Sequence, residues 1–153
     1  MSSLILQKFE SASPEDTESI GAEFAKQLKI LDFVSLNGTL GAGKTKFVSG
    51  IIRFFCGNEG TPYATSPTYS IMNIYKCGNI AVNHFDFYRL KTLQDVENCG
   101  FFDSLEGVAN LTVAEWTDAV RINYGRYAAG NYYSVKIKIN AKEKRHIEIE
   151  KIL

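Results

Sequence analysis

The sequence predicts an α/β fold of three layers, with a mixed central sheet and antiparallel strands toward its C-terminal end. Three observations predict it. Helix-like and strand-like segments alternate early, a glycine-rich turn joins one strand directly to one helix, and two strictly alternating segments close the chain. With 153 residues, 45% hydrophobic and 22% charged, the chain is sized for one packed domain over residues 1–153.

Each element has a local reason. Ser13, Pro14 and Asp16 supply an N-cap, a proline at the first helical position and a first-turn acid, after which Ile20, Phe24 and Leu28 recur on one face. Phe33-Val34-Ser35-Leu36 reads as a short strand. Past the glycine-rich turn, Phe47, Val48, Ile51, Ile52 and Phe55 mark a second helix that stops near Gly57. Residues 69–75 and 80–85 flank the turn composition Cys77-Gly78-Asn79 and predict a hairpin. Thr92 with Asp95 forms a capping box for a short helix, and residues 111–114 make an apolar strand ending at Glu115. Val135, Ile137 and Ile139 alternate with lysines, and Ile147 and Ile149 with glutamates, which predicts a closing hairpin with one face in the core.

Composition removes several classes of function. Seventeen Lys and Arg balance seventeen Asp and Glu, so the chain lacks the electrostatic footprint of a free-standing nucleic-acid binder. Ten Phe and eight Tyr are too many for a disordered linker. Two histidines leave zinc chemistry short of ligands. The longest uncharged stretch, residues 60–75, carries Thr, Ser, Pro and Asn and does not suit a membrane span. Leu4-Ile5-Leu6 is too short for a signal-peptide core. Cys56, Cys77 and Cys99 cannot all pair and are expected as reduced thiols of a cytoplasmic protein. Charge is uneven: residues 1–32 hold six acids and three bases, residues 135–153 six bases and three acids. These are either two solvated surfaces or faces for docking a partner.

The chemistry concentrates in Gly38-Thr39-Leu40-Gly41-Ala42-Gly43-Lys44-Thr45, a complete G-x-x-x-x-G-K-[ST] motif between a strand and a helix. Gly38, Gly41 and Gly43 let the backbone curl so that its N–H groups converge on one anion, and the helix N-terminus adds positive potential. Lys44 is placed to reach the β- and γ-phosphates and Thr45 to ligate Mg²⁺. The chain is therefore expected to bind a nucleoside triphosphate. Asp86 and Glu115, each ending an apolar strand, both qualify as the carboxylate at the metal or at the attacking water, and the residues alone leave the roles open. No N-K-x-D element for guanine is present, which favours ATP over GTP. His84 reads as a strand histidine supporting the Asp86 region or as a general base. Arg89 reads as a γ-phosphate finger or an ion-pair partner, and Trp116 as a core or interface anchor.

Ser66-Pro67-Thr68-Tyr69, His84-Phe85-Asp86-Phe87-Tyr88-Arg89-Leu90 and Glu115-Trp116 follow the phosphate motif in order. Together these strings resemble the TsaE family (also called YjeE), bacterial ATPases that help make threonylcarbamoyladenosine in tRNA. The resemblance implies a P-loop NTPase-like fold and a slow, Mg²⁺-dependent ATPase. It implies that Leu40, Gly41, Ala42, Gly43, Lys44 and Thr45 wrap the phosphates, and that Thr45 and Glu115 hold Mg²⁺. Asp86 then serves hydrolysis, the loop containing Thr68 acts as a switch near the γ-phosphate, and Thr17 and Lys144 (with Arg145) lie near the base. It implies partners, TsaB and TsaD, with tRNA met only through that complex. If ATP orders the Thr68 loop, as γ-phosphate contacts order switch loops, docking to those partners is expected to depend on ATP. A small P-loop kinase and an ATP-gated binding protein are the other two readings. The five arginines Arg53, Arg89, Arg121, Arg126 and Arg145 are too scattered for a kinase lid. Two departures from the family pattern stand beside the motif: Thr39 where Asp is usual, and Lys46, an added charge, where Thr is usual.

Overall fold

The computed structural model describes residues 2–57 and 71–153. Its elements run β1 (Ser3–Ser11), α1 (Pro14–Ala25), β2 (Phe33–Asn37), α2 (Lys44–Cys56), β3 (Met72–Cys77), β4 (Ile80–Asp86), α3 (Leu93–Asn98), α4 (Phe101–Glu106), β5 (Asn110–Glu115), β6 (Tyr132–Ile139) and β7 (Arg145–Ile152), with short 3-10 turns at Thr117–Ala119 and Tyr124–Arg126. Among the described residues the strands form a seven-stranded sheet in the order β1-β7-β6-β2-β5-β4-β3. Its four central strands, β6, β2, β5 and β4, are parallel, and β3, β7 and β1 add antiparallel at the two edges. The three-layer α/β architecture with antiparallel C-terminal strands is the one expected.

Side-chain alternation divides the core. Val34 and Leu36 of β2, Leu111 and Val113 of β5, and Val82 of β4 pack with α1 and α2 on one face. Phe33, Phe85 and Ala114, one position out of phase, pack with α3, α4 and the 3-10 turns on the other. β2 is buried on both faces, as a central parallel strand must be. The two helices of the first face cross backbone to backbone. A methyl group at Gly50 would strike the Glu18 carbonyl, and one at Gly21 the Phe47 carbonyl, so only glycine permits this approach. The second face is aromatic instead. Phe101 sits with ring centroids 5.2, 5.4 and 5.1 Å from Phe33, Phe85 and Phe87.

Predicted caps occur where expected. The Ser13 side chain accepts from Asp16 N–H, and Thr92 and Asp95 complete a reciprocal capping box. The first helix is shorter than its apolar face implied, ending at Ala25 before Leu28, and residues 69 and 70 of the expected hairpin lie outside the described residues. Two elements were not foreseen, β1 and α4. The pairing of β1 with β7 shifts register between Ile5 and Gln7, so Leu6 and Phe9 both reach the core despite their odd spacing.

The expectation of three thiols is corrected: Cys56 at the end of α2 and Cys77 at the end of β3 are joined as a disulfide, with Cα atoms 4.6 Å apart, and Cys99 is free. Folding carries the end of α2 to the end of β3, a proximity that their 21-residue separation does not reveal. The acidic and basic terminal segments meet along β1 and β7, where Lys144 lies 3.2 Å from Glu10 and Lys8 3.8 Å from Glu148, while Glu15, Asp16, Glu18 and Glu23 lie on α1. No helix among the described residues is long and apolar enough to cross a membrane.

Candidate functional site: a glycine-rich loop over a buried carboxylate

The site forms where the parallel strands end. β2 stops at Asn37, the chain loops through residues 38–43, and α2 starts at Lys44. Gly43 occupies the N-cap position with φ 107°, in the left-handed region that glycine alone enters freely, and no side chain caps the helix. The first-turn N–H groups are thus left facing the loop, as an anion site requires. Arg145, from β7, braces the loop from behind: its guanidinium donates to the Gly41 and Ala42 carbonyls at 3.1 and 3.3 Å and to the Glu143 carbonyl at 2.6 Å.

Lys44 folds back over its own loop, donating to the Gly38 and Thr39 carbonyls at 2.6 and 2.9 Å. Its ammonium lies 4.2 Å from the centre of the Trp116 ring. Burial pushes this ammonium below its ordinary value, and the carboxylates of Glu115, Asp86 and Asp118 pull it back up. Trp116 itself has φ 62°, an unfavourable conformation for a bulky residue, and its N–H donates to the Leu36 carbonyl at 2.9 Å. The bend places the indole against Lys44 and, at 5.0 Å, against Tyr88. In sequence Trp116 read as an anchor; its contact with the loop lysine follows from strand order, which sequence did not give.

Thr45 and Glu115 come together across 70 residues of chain. The Thr45 hydroxyl donates toward both Glu115 oxygens, at 3.2 and 3.3 Å. Glu115 is only 2% exposed and closes β5. Its other contact is His84, whose Nε2 lies 2.5 Å from Oε2. Asp86 stands beside Glu115 in the register of β4 and β5, and its Oδ1 accepts from Tyr88 N–H at 2.9 Å. A hydroxyl and a carboxylate converging at a phosphate loop are the oxygen donors that suit Mg²⁺. Among the described residues no cluster of three His, Cys, Asp or Glu gathers to hold an ion by itself. An ion here would draw its remaining ligands from phosphates and water, which is how Mg²⁺ is ordinarily held.

Two cavities flank the loop. One of about 780 Å³ is walled by Leu40, Tyr88, Trp116, Asp118, Lys136 and Ile139. The other, about 230 Å³, is lined by Ser13, Thr17, Gly43, Lys46, Glu143 and Arg145. Thr17 is buried beneath Gly43, and its hydroxyl is engaged by Ser11 at 2.7 Å. Lys144 does not line the second cavity; its ammonium turns to Glu10, and Arg145 takes the place at the loop. Lys46 lies 3.8 Å from Glu18, a carboxylate that Arg53 also meets at 3.0 Å. Arg89 is exposed and makes no salt bridge among the described residues. Thr68 lies outside the described residues. His84 is the member of the site that sequence reasoning undervalued. It is wholly buried and serves Glu115, one strand away.

A family model described as "Threonylcarbamoyl adenosine biosynthesis protein TsaE" matches residues 11–147. The chain belongs to the TsaE family. It is 36% identical over 139 residues to the tRNA threonylcarbamoyladenosine biosynthesis protein TsaE of Rickettsia typhi, covering 91% of each chain. It is 39% identical over 109 residues to the protein of the same name from Rickettsia conorii, a match spanning 71% of this chain and 60% of that relative. Among solved structures, Bacillus subtilis YdiB shares the fold with a TM-score of 0.70, at 23% identity, over 99% of this chain and 87% of that one.

Proposed function

We propose that this TsaE-family chain is the Mg²⁺-dependent, ATP-binding subunit of threonylcarbamoyladenosine biosynthesis in the cytoplasm, hydrolysing ATP slowly by itself and working with TsaB and TsaD on tRNA. The observation that carries the reading is the convergence of Thr45 with a buried Glu115 beneath a complete phosphate loop. A loop and helix of this kind bind phosphate through backbone N–H groups, and the buried carboxylate calls for a cation opposite it.

The chain's own groups divide the work. Backbone N–H groups of residues 40–45 hold the phosphates, and Lys44 exchanges its two loop carbonyls for phosphate oxygens when nucleotide arrives. Thr45 and Glu115 hold Mg²⁺, which when bound neutralises charge on the β- and γ-phosphate oxygens. Asp86, one strand from Glu115, orients the attacking water. Thr17 and Arg145 border the smaller cavity, the side assigned to the base. Thr68 answers to the γ-phosphate as a switch. The neutral balance of charge supports meeting tRNA through partners rather than directly.

Purified protein is tested in three steps: ATP binding by calorimetry with and without Mg²⁺, phosphate release, and threonylcarbamoyladenosine formation on adding TsaB and TsaD. Mg²⁺-dependent ATP binding and restored modification are the expected results. Failure to restore modification, with ATP binding intact, would leave an ATP-gated protein and remove the tRNA role.

A further inference from the structure

The Mg²⁺-ATP reading names Glu115 as a metal ligand but does not explain what fixes its carboxylate. P-loop proteins commonly use aspartate at this strand end. Glutamate carries one more rotatable bond, so its carboxylate has more positions available and needs an anchor to face Thr45 reproducibly. His84 is the group in position. It lies on β4 beside Val113 of β5, two residues before the pair Asp86–Glu115, and points to the same face of the sheet.

We propose that His84 is a positioning residue that pins Glu115 toward Thr45, so that the Mg²⁺-binding pair is preformed before nucleotide arrives. The proposal rests on the Mg²⁺-ATP reading above. Its support is an imbalance in the hydrogen bonding of His84. The ring is fully buried, with Nε2 2.5 Å from Glu115 Oε2, and Nδ1 is buried with no hydrogen-bond partner among the described residues. A histidine placed for packing would be expected to satisfy both nitrogens or to be an apolar ring, because an unpaired buried nitrogen is unfavourable. Here the neighbours on that face include Val82, Val113 and the Tyr75 ring at 6.5 Å, surroundings that a phenylalanine would fill as well. The imidazole is accounted for by the carboxylate it holds. For an ionised Glu115 that contact requires a proton on Nε2, which donates to the carboxylate. With Oε2 held on one side by His84 and both oxygens met by Thr45, the carboxylate cannot swing away from the phosphate loop.

Two measurements test this. Only His84 and His146 are present, and His146 is largely exposed, so ring-nitrogen NMR of the wild-type protein resolves them. The expected spectrum shows His84 protonated at Nε2, with a slowly exchanging hydrogen-bonded proton, in both the free and the Mg²⁺-ATP states. A bare Nε2, with the proton on Nδ1 alone, instead overturns the proposal without any variant. The second measurement compares His84→Leu with His84→Gln, whose amide can donate to Glu115. His84→Leu should weaken Mg²⁺ affinity, read by Mn²⁺ electron paramagnetic resonance and by the Mg²⁺ dependence of ATP titrations, by about tenfold or more. ATP affinity without Mg²⁺ should stay unchanged, and His84→Gln should recover most of the metal affinity. Lower melting temperatures in both variants with unchanged Mg²⁺ affinity would make His84 merely structural and overturn the proposal. Absence of Mg²⁺-dependent ATP binding in the wild-type protein would instead overturn the underlying reading and take this inference with it.

Discussion

The two faces of the sheet are built from different materials, and the difference separates stability from function. On one face α1 and α2 cross at glycine-to-carbonyl distance, and the helix so placed presents its N-terminus to the ends of β2, β4 and β5. On the other, two six-residue helices lie over an aromatic cluster centred on Phe101. Close backbone contact fixes α2 as a rigid body, and a phosphate loop requires that, because its N–H groups must be aimed before the anion arrives. Large rings tolerate short helices, because each ring buries much apolar area wherever it lands in the cluster. The first face is therefore expected to be sensitive in geometry, the second in volume.

Substitutions can break that contrast. The largest expected loss of stability is Phe101→Ala, about 3–5 kcal/mol from lost burial and the cavity left behind. ATP affinity of the folded fraction should not change, and chemical denaturation with nucleotide titration at low denaturant checks both. Gly50→Ala should cost about 1–3 kcal/mol through forced separation of α1 and α2. Unlike Phe101→Ala, it should also weaken ATP binding, because the displaced helix carries Lys44 and Thr45. Equal nucleotide affinity in the two variants would dissolve the distinction between the faces.

Lys44→Ala sharpens the comparison within the first face. It should lower ATP affinity by about ten- to a hundredfold, the worth of a charge-assisted contact, while leaving the melting temperature nearly unchanged. The smallest expected effect lies at the α3 cap. N–H groups of Lys91 and Thr92 hold the Asp95 carboxyl below its ordinary value of 3.8. A depressed carboxyl stabilises the fold above the unfolded-state value and stops doing so as pH falls through the folded one. Asp95→Asn should therefore be less stable than wild type near neutral pH, and the gap should narrow in acid. Thermal melts at about pH 7 and about pH 3 read the difference.

What sequence revealed follows from what each signal depends on. The phosphate motif, the Ser13 cap and the Thr92–Asp95 box are contiguous and depend on local backbone geometry, so they were legible. Glu115 and Asp86 were legible as strand ends but not in their relation, because the pairing of β4 with β5 is a matter of strand order. His84 was legible as a strand histidine, yet its partner lies 31 residues away on another strand. Cys56 and Cys77 gave no spacing signal for a bridge, and the bulge in β1 hid a strand whose alternation it interrupts. The terminal charges, which sequence alone left as solvated surfaces or docking faces, partly neutralise each other once β1 lies on β7.

The central claim is that Glu115 and Thr45 form a metal site serving nucleotide bound at the loop. Calorimetric ATP titration of the wild-type protein and of Glu115→Ala, each with and without Mg²⁺, tests it most directly. The account predicts that Mg²⁺ strengthens ATP binding to the wild-type protein and that Glu115→Ala removes this gain while leaving Mg²⁺-free binding in place. An equal gain from Mg²⁺ in both proteins would contradict it.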